Sequence, residues 1–279
     1  MKEKLRLHLN RRFGKANEDL FFYDEVADRL SCRLDAIRIK PNQVLVSGYG
    51  RENLKKKFGH WARYVYVDCS ISRSKEKRVS SGGPLNIPWV RGAEKICADL
   101  SYLPLTGSSF DVVYSNLDLP FFLECREFEA AVREVFRVLK PGGLFIFSSL
   151  GPGSLREVSD LNLGKSLRFC RHMDMHDVGD VLVNSRFSDP VMESEELRVN
   201  HPNALALLRD LKAHGSISSA SLDSRNFYGE KVLRSWMRQM RRQQFERFDS
   251  TLELVFGHAW KSVERRSSTG RKIIEIQTQ

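Results

Sequence analysis

The chain has 279 residues, with 45 Lys and Arg against 35 Asp and Glu, a formal net charge of +10 and a pI near 9.5. At 41% hydrophobic and 10% aromatic residues it holds enough apolar material for a packed core, which excludes global disorder. No run approaches the ~20 apolar residues of a membrane-spanning helix. The positive excess predicts an anionic partner but does not separate nucleic acid, a membrane surface and an acidic protein. Five cysteines (Cys32, Cys69, Cys97, Cys125 and Cys170) lie far apart with no C-x-x-C pair. That spacing is neither a zinc pattern nor a disulfide framework, and it fits a reducing cytoplasm. The stretch Met1–Ala16 is basic, lacks an apolar segment and contains Glu3, so neither a secretory signal nor a transit peptide is expected.

The first forty residues read as helix, because Phe21, Phe22, Val26, Leu30 and Leu34 recur at three- and four-residue steps. Pro41-Asn42 ends that pattern, and QVLVSGYG follows as a buried strand entering a glycine loop. A second apolar run, Tyr64 to Val67, ends at Asp68, and Ser80 to Pro88 reads as loop. A third, short strand is expected to end near Asp99. FDVVYSNL then reads as strand, EFEAAVREVFRVLK as a helix with Phe128, Val132, Val135 and Leu139 on one face, Pro141-Gly142-Gly143 as a turn, and LFIFSSL as strand. Strand, helix, turn, strand is a βαβ pattern and predicts a parallel sheet covered by helices. Further on, DMHDVGDVLVNSRF reads as helix, DPVMESEELRV as strand, residues 201–248 as a basic, mostly helical stretch, and TLELVFGHAW as a last strand. RRSSTGRK reads as a solvated tail.

Three of these strands end in residues that carry chemistry. Gly48-Tyr49-Gly50 follows the first strand, where glycine lets backbone approach a ligand closely. Asp68 ends the second strand eighteen residues after Gly50, near the ~20-residue spacing at which an acid meets ribose hydroxyls. Asp99, at the third, could accept from an adenine amino group. Each Asp taken singly also fits a strand-end cap or turn, whereas the three in order, followed by VYSNL and LKPGG, point to a nucleoside-bearing ligand.

With LKPGGLFIFSSLGPGSL, these strand ends resemble the class I S-adenosylmethionine-dependent methyltransferases. EVADRL, DMHDVGDVLV, RFSDPVME, ALLRDLKAHG and LELVFGHAW are in turn similar to the BioC family, the malonyl-[acyl-carrier-protein] O-methyltransferases of biotin synthesis, from about Glu25 to Trp260. The resemblance implies a Rossmann-like, doubly wound and mostly parallel α/β sheet with a helical insertion before the last strand. It implies one domain over 1–279: a helical segment at 1–40, a cofactor-binding half at 41–150, the remaining strands at 151–260 with a cap at about 201–248, and a tail at 261–279.

S-adenosyl-L-methionine is the implied cofactor, with Gly48, Gly50, Asp68, Asp99, Leu100 and Asn116 around it. Malonyl-acyl carrier protein is the implied partner, with no metal, no membrane and no nucleic acid, in the cytoplasm. Arg209 and Arg225, in the cap, are candidates to receive the substrate carboxylate by guanidinium pairing, and each also fits a surface ion pair. Arg234, Arg238, Arg241, Arg242 and Arg247 would give the carrier protein a cationic surface, while Trp236 and Met240 share another helix face. No general base is expected, since a malonyl carboxylate is already ionised at neutral pH, and His172, His176 and His201 are read as structural or polar lining.

This chain departs from the family pattern where the cleft is expected. Val46 stands at the acidic position of the first strand, Glu52 at the third glycine, Ala16-Asn17 at an N-terminal Tyr-Asp, and Leu119-Pro120-Phe121 where Leu-Gln-Trp is frequent. These departures keep two other readings open: a degenerate BioC paralogue that binds or regulates a partner, and a methyltransferase-fold enzyme with a different substrate.

Overall fold

The computed structural model of the chain describes residues 21–48, 51–59, 61–68, 94–119, 125–156, 167–169, 172–202, 206, 217–219 and 248–263. The first helix, α1 (Phe21–Arg33), buries Phe22, Val26 and Leu30, the stripe its periodicity predicts, and a 3₁₀ turn (Leu34–Ala36) closes it. Strand β1 (Gln43–Gly48) leads to α2 (Arg51–Phe58), β2 (Arg63–Asp68) and β3 (Glu94–Cys97). Then come β4 (Phe110–Asn116), α3 (Cys125–Val138) and β5 (Leu139–Leu150). The remainder comprises β6 (Leu167–Phe169), α4 (Met175–Asn184), β7 (Phe187–His201), β8 (Ile217–Ser219) and β9 (Phe248–Lys261).

Seven strands form one sheet in the order β3-β2-β1-β4-β5-β9-β7. The first five are parallel, and β9 runs antiparallel to both β5 and β7. This is the expected mostly parallel, doubly wound sheet. Because consecutive strand residues face opposite sides, each strand feeds two cores. Val44, Val46, Tyr66, Val112 and Tyr114 face α1, whereas Leu45, Val65, Val67, Val113 and Phe145 join Phe128, Val132 and Val135 of α3 and Leu182 of α4. The chain passes from β1 outward to β3 and returns to β4 beside β1, so the order reverses between β1 and β4. In open α/β sheets, ligands bind in the crevice at the carboxyl ends of strands where such a reversal falls.

Several expectations need correction. Pro141-Gly142-Gly143 is not a turn closing off the helix. It lies within β5, as a bulge in which residues 140–143 stand opposite Asp111 between the pairs Phe110–Leu139 and Val112–Leu144. The strand begins directly at the end of α3 because Leu139 is already paired and buried. The third strand stops at Cys97, and Asp99 lies two residues beyond it, bridged to Tyr102. The stretch read as helical contains β8, which pairs with β6 in a separate two-stranded sheet. Strand β7 starts at Phe187 and passes over Pro190 through a register shift between Ser188 and Val191, a tolerable place for proline because β7 ends the sheet order. The segments 1–20, RSKEKR, residues 236–247 of the basic stretch and residues 264–279 of the tail lie outside the described residues.

Packing explains one family-like segment directly. In GHAW, Gly257 is paired between Phe147 and Met192, and a Cβ there would stand 2.4 Å from the Phe147 ring and 2.7 Å from the Met192 sulfur. A larger residue there would require the Phe147 ring and the Met192 side chain to move.

Candidate functional site

The candidate site is the row of strand ends at β3, β2, β1 and β4. Register brings it together: Gly48 pairs with Asn116, Val67 with Ser47, and Asp68 with Cys97. Gly48 has φ +80°, and a Cβ on it would lie 2.1 Å from the Asn116 carbonyl oxygen. The glycine is therefore required by the close approach of β4 itself, before any ligand is considered.

Asp68 ends β2 with its side chain half-buried, and its carbonyl accepts from Ala98 N at 3.2 Å. Asp99 folds a tight turn, its carboxylate accepting from the Ser101 amide and hydroxyl at 2.8 Å each. Leu100, in that turn, is buried against Leu103 and Leu105. The segment is clamped from α3: Glu134 accepts from Leu103 N at 3.0 Å, and Arg137 donates to the Leu105 and Leu103 carbonyls at 2.8 and 3.1 Å. Burial pushes the Glu134 carboxyl up, but hydrogen bonds from Arg137 and Leu103 outweigh it and hold the pKa below its ordinary value.

Asn116 is fully buried. Its amide N–H donates to the Tyr23 carbonyl at 3.0 Å, and its oxygen accepts from Ser148 Oγ at 2.6 Å, which in turn accepts from Leu117 N at 3.0 Å. The side chain ties β4 to α1 and β5. Val46 is likewise buried, in the core beneath α1. Sequence reasoning missed two residues here. Ser47 is fully buried, and its hydroxyl donates to the carboxylate of half-buried Asp118. The signals were a hydroxyl inside an apolar strand and an acid directly after SNL. Between Asn116 and Asp118, Leu117 takes φ +52°, a left-handed conformation that costs a non-glycine residue energy and is common at functional sites.

Gly50, Tyr49, Pro120, Arg209 and Arg225 lie outside the described residues, as do the side chains of Arg51 and Glu52. The three histidines differ. His201 is buried and shares a hydrogen bond with Ser250 Oγ at 3.0 Å. His176 is exposed at the start of α4, where Asp174 caps the helix through the His176 amide. His172 is half-buried, and burial pushes its pKa down to about 4, so the ring is neutral at neutral pH. Among the described residues no group of three or more His, Cys, Asp or Glu is placed to hold a metal ion.

A seven-stranded sheet of this order, with acidic strand ends beside the β1–β4 reversal, is the fold of class I, Rossmann-like S-adenosylmethionine-dependent methyltransferases. The methyltransferase domain family matches residues 46–147. A candidate methyltransferase of known structure from Bacillus halodurans shares the fold with a TM-score of 0.51 at 13% identity, over 86% of this chain and 100% of that one. The malonyl-[acyl-carrier protein] O-methyltransferase of Laribacter hongkongensis is 32% identical over 99% of this chain and 95% of its own length. That of Gallionella capsiferriformans is 33% identical over 90% of this chain and 88% of its own. The chain belongs to the malonyl-[acyl-carrier protein] O-methyltransferase family, as its sequence segments implied.

The residues present fit the cofactor of that fold. Its ribose hydroxyls, adenine amino group and α-ammonium are all donors, and Asp68 at the end of β2, with Asp99 and Asp118 two residues beyond β3 and β4, offers carboxylates as acceptors.

Proposed function

We propose that this chain is an S-adenosylmethionine-dependent methyltransferase that esterifies the free carboxylate of a malonyl group carried on acyl carrier protein, in the cytoplasm. The observation that carries this reading is the 32% identity to such an enzyme over 99% of the chain, with Gly48 and Asp68 ending β1 and β2 and Asp99 in the turn just after β3. When bound, the cofactor supplies a methyl group activated by a sulfonium. Asp68 would accept from the ribose hydroxyls. Asp99 would hold the adenine end through its turn, with Leu100 filling the core behind it. Gly48 and Gly50 would keep the backbone low beside the cofactor.

A malonyl carboxylate, with an ordinary pKa of roughly 4, attacks already ionised, so the protein need supply no general base. His201 and His176 are engaged structurally, in keeping with that chemistry. What the protein supplies is alignment and exclusion of water, worth ~7–11 kcal/mol when the geometry is good. Arg209 or Arg225 would receive the substrate carboxylate, because a guanidinium pairs with it through two parallel hydrogen bonds. The +10 charge suits docking of an acidic carrier protein.

One observation favours the binding-only reading: Val46, at the family's acidic position, is buried in an apolar core. A single reaction separates the two. Purified protein with malonyl-acyl carrier protein and S-adenosylmethionine is expected to add one methyl ester, read as a 14 Da gain by mass spectrometry, roughly the mass of one methylene. An unchanged mass, together with no calorimetric heat from millimolar cofactor, would overturn the enzyme reading.

A further inference from the structure

The family's carboxylate at the first strand is missing here, yet a carboxylate stands beside that strand. Ser47 and Ser115 pair across β1 and β4 and are both fully buried, an unusual amount of hydroxyl for the centre of a parallel sheet. Ser115 Oγ has no hydrogen-bond partner among the described residues. Ser47 Oγ donates to Asp118, across 71 residues of chain. The left-handed Leu117 stands between the end of β4 and Asp118, whose carboxylate meets Ser47 of β1. A buried hydroxyl and a strained turn are both committed to holding one half-buried acid at the strand reversal.

Position indicates which part of a ligand this acid would meet. Asp99 and Asp68 lie at the β3 and β2 end of the row, and Asp118 at the β1–β4 end. Three interstrand steps separate β3 from β4, about 14 Å. An adenosyl group anchored at the first end leaves its amino-acid tail at the second, and the donor on that tail is the cationic α-ammonium. We propose that Asp118 receives the α-ammonium of the cofactor and that Ser47, on the sheet face opposite the one Val46 occupies, is the positioning residue orienting it. The inference rests on the cofactor reading above and deepens it.

The test uses two ligands that differ only in that ammonium: S-adenosylhomocysteine and its deamino analogue, adenosyl-4-thiobutyrate. Both are titrated calorimetrically into the wild-type chain, Asp118→Asn and Ser47→Ala. The wild type is expected to prefer S-adenosylhomocysteine by about ten- to a hundredfold, the usual weight of a charge-assisted hydrogen bond. Asp118→Asn is expected to abolish that preference while binding the analogue within about twofold of wild type, and Ser47→Ala to reduce it partway, as coupled sites do. A preference that survives Asp118→Asn overturns the inference and leaves the cofactor reading standing. Equal weakening of both ligands by Asp118→Asn also overturns it, since the residue would then only support the fold. If the wild type binds neither ligand, the cofactor reading fails and this inference with it.

Discussion

At the residue scale, the strand ends are held by side chains that look inward. Asn116, Ser148 and Tyr23 lock β4 to β5 and α1, and Gly48 admits the Asn116 backbone to within contact of β1. Replacing Gly48 with alanine would force both a left-handed alanine and a Cβ into that carbonyl. The backbone conformation alone costs roughly 1–3 kcal/mol. Gly48→Ala is therefore expected to lower stability by at least that amount, read from the urea midpoint at unchanged slope. A variant as stable as wild type would show that β1 and β4 can separate freely at this point. Most of this was legible only in part. Gly48 was legible because glycine after an apolar strand has few other uses, but the inward role of Asn116 was not, since its partners lie 93 and 32 residues away.

Among the elements, α3 links the core to the site. Its apolar face packs under the sheet, and its last turn reaches out to clamp residues 103–105 just after the Asp99 turn. Glu134→Gln keeps the shape but loses the charge that organises Arg137, and is expected to cost roughly 1–3 kcal/mol at pH 7. The pH dependence has a definite sign. The folded-state pKa of Glu134 is lowered, so its contribution is present above the ordinary value of about 4.3 and is lost as pH falls through the lowered one. The deficit of the variant should therefore shrink as pH drops from about 6 to below about 4, measured by denaturant unfolding across that window. A constant deficit would mean that the amide, not the charge, matters. The helix was legible from its period, as were β1, β2, β4, β7 and β9. Strands β6 and β8 were not, because three residues contain no period to read.

For the whole molecule, charge is the relevant quantity. Lys55, Lys56 and Lys57 end α2, while the acids of β7 are partly neutralised by α1, with Arg29 on Glu195 and Arg33 on Glu193 at 2.9 Å each. Arg33 also lies 3.7 Å from the centre of the Phe256 ring. These pairs leave the overall excess positive, so docking of an acidic carrier protein should be steered electrostatically. Raising NaCl from about 50 to about 500 mM shortens the screening length severalfold and is expected to weaken carrier-protein binding at least about tenfold, measured by surface plasmon resonance. Affinity indifferent to salt would place recognition in apolar contacts instead.

The amino-acid sequence by itself determined the α/β class, the ends of β1 and β2 and the family, because each is written in local period and in short segments such as GHAW. Only the tertiary structure decided that Pro141-Gly142-Gly143 is a bulge within a strand, that Asn116 faces the core and that Ser47 meets Asp118. The reason is register. Which polar group ends beside which depends on β1 pairing with β4, two strands separated by more than sixty residues of chain, and no local pattern encodes that neighbour.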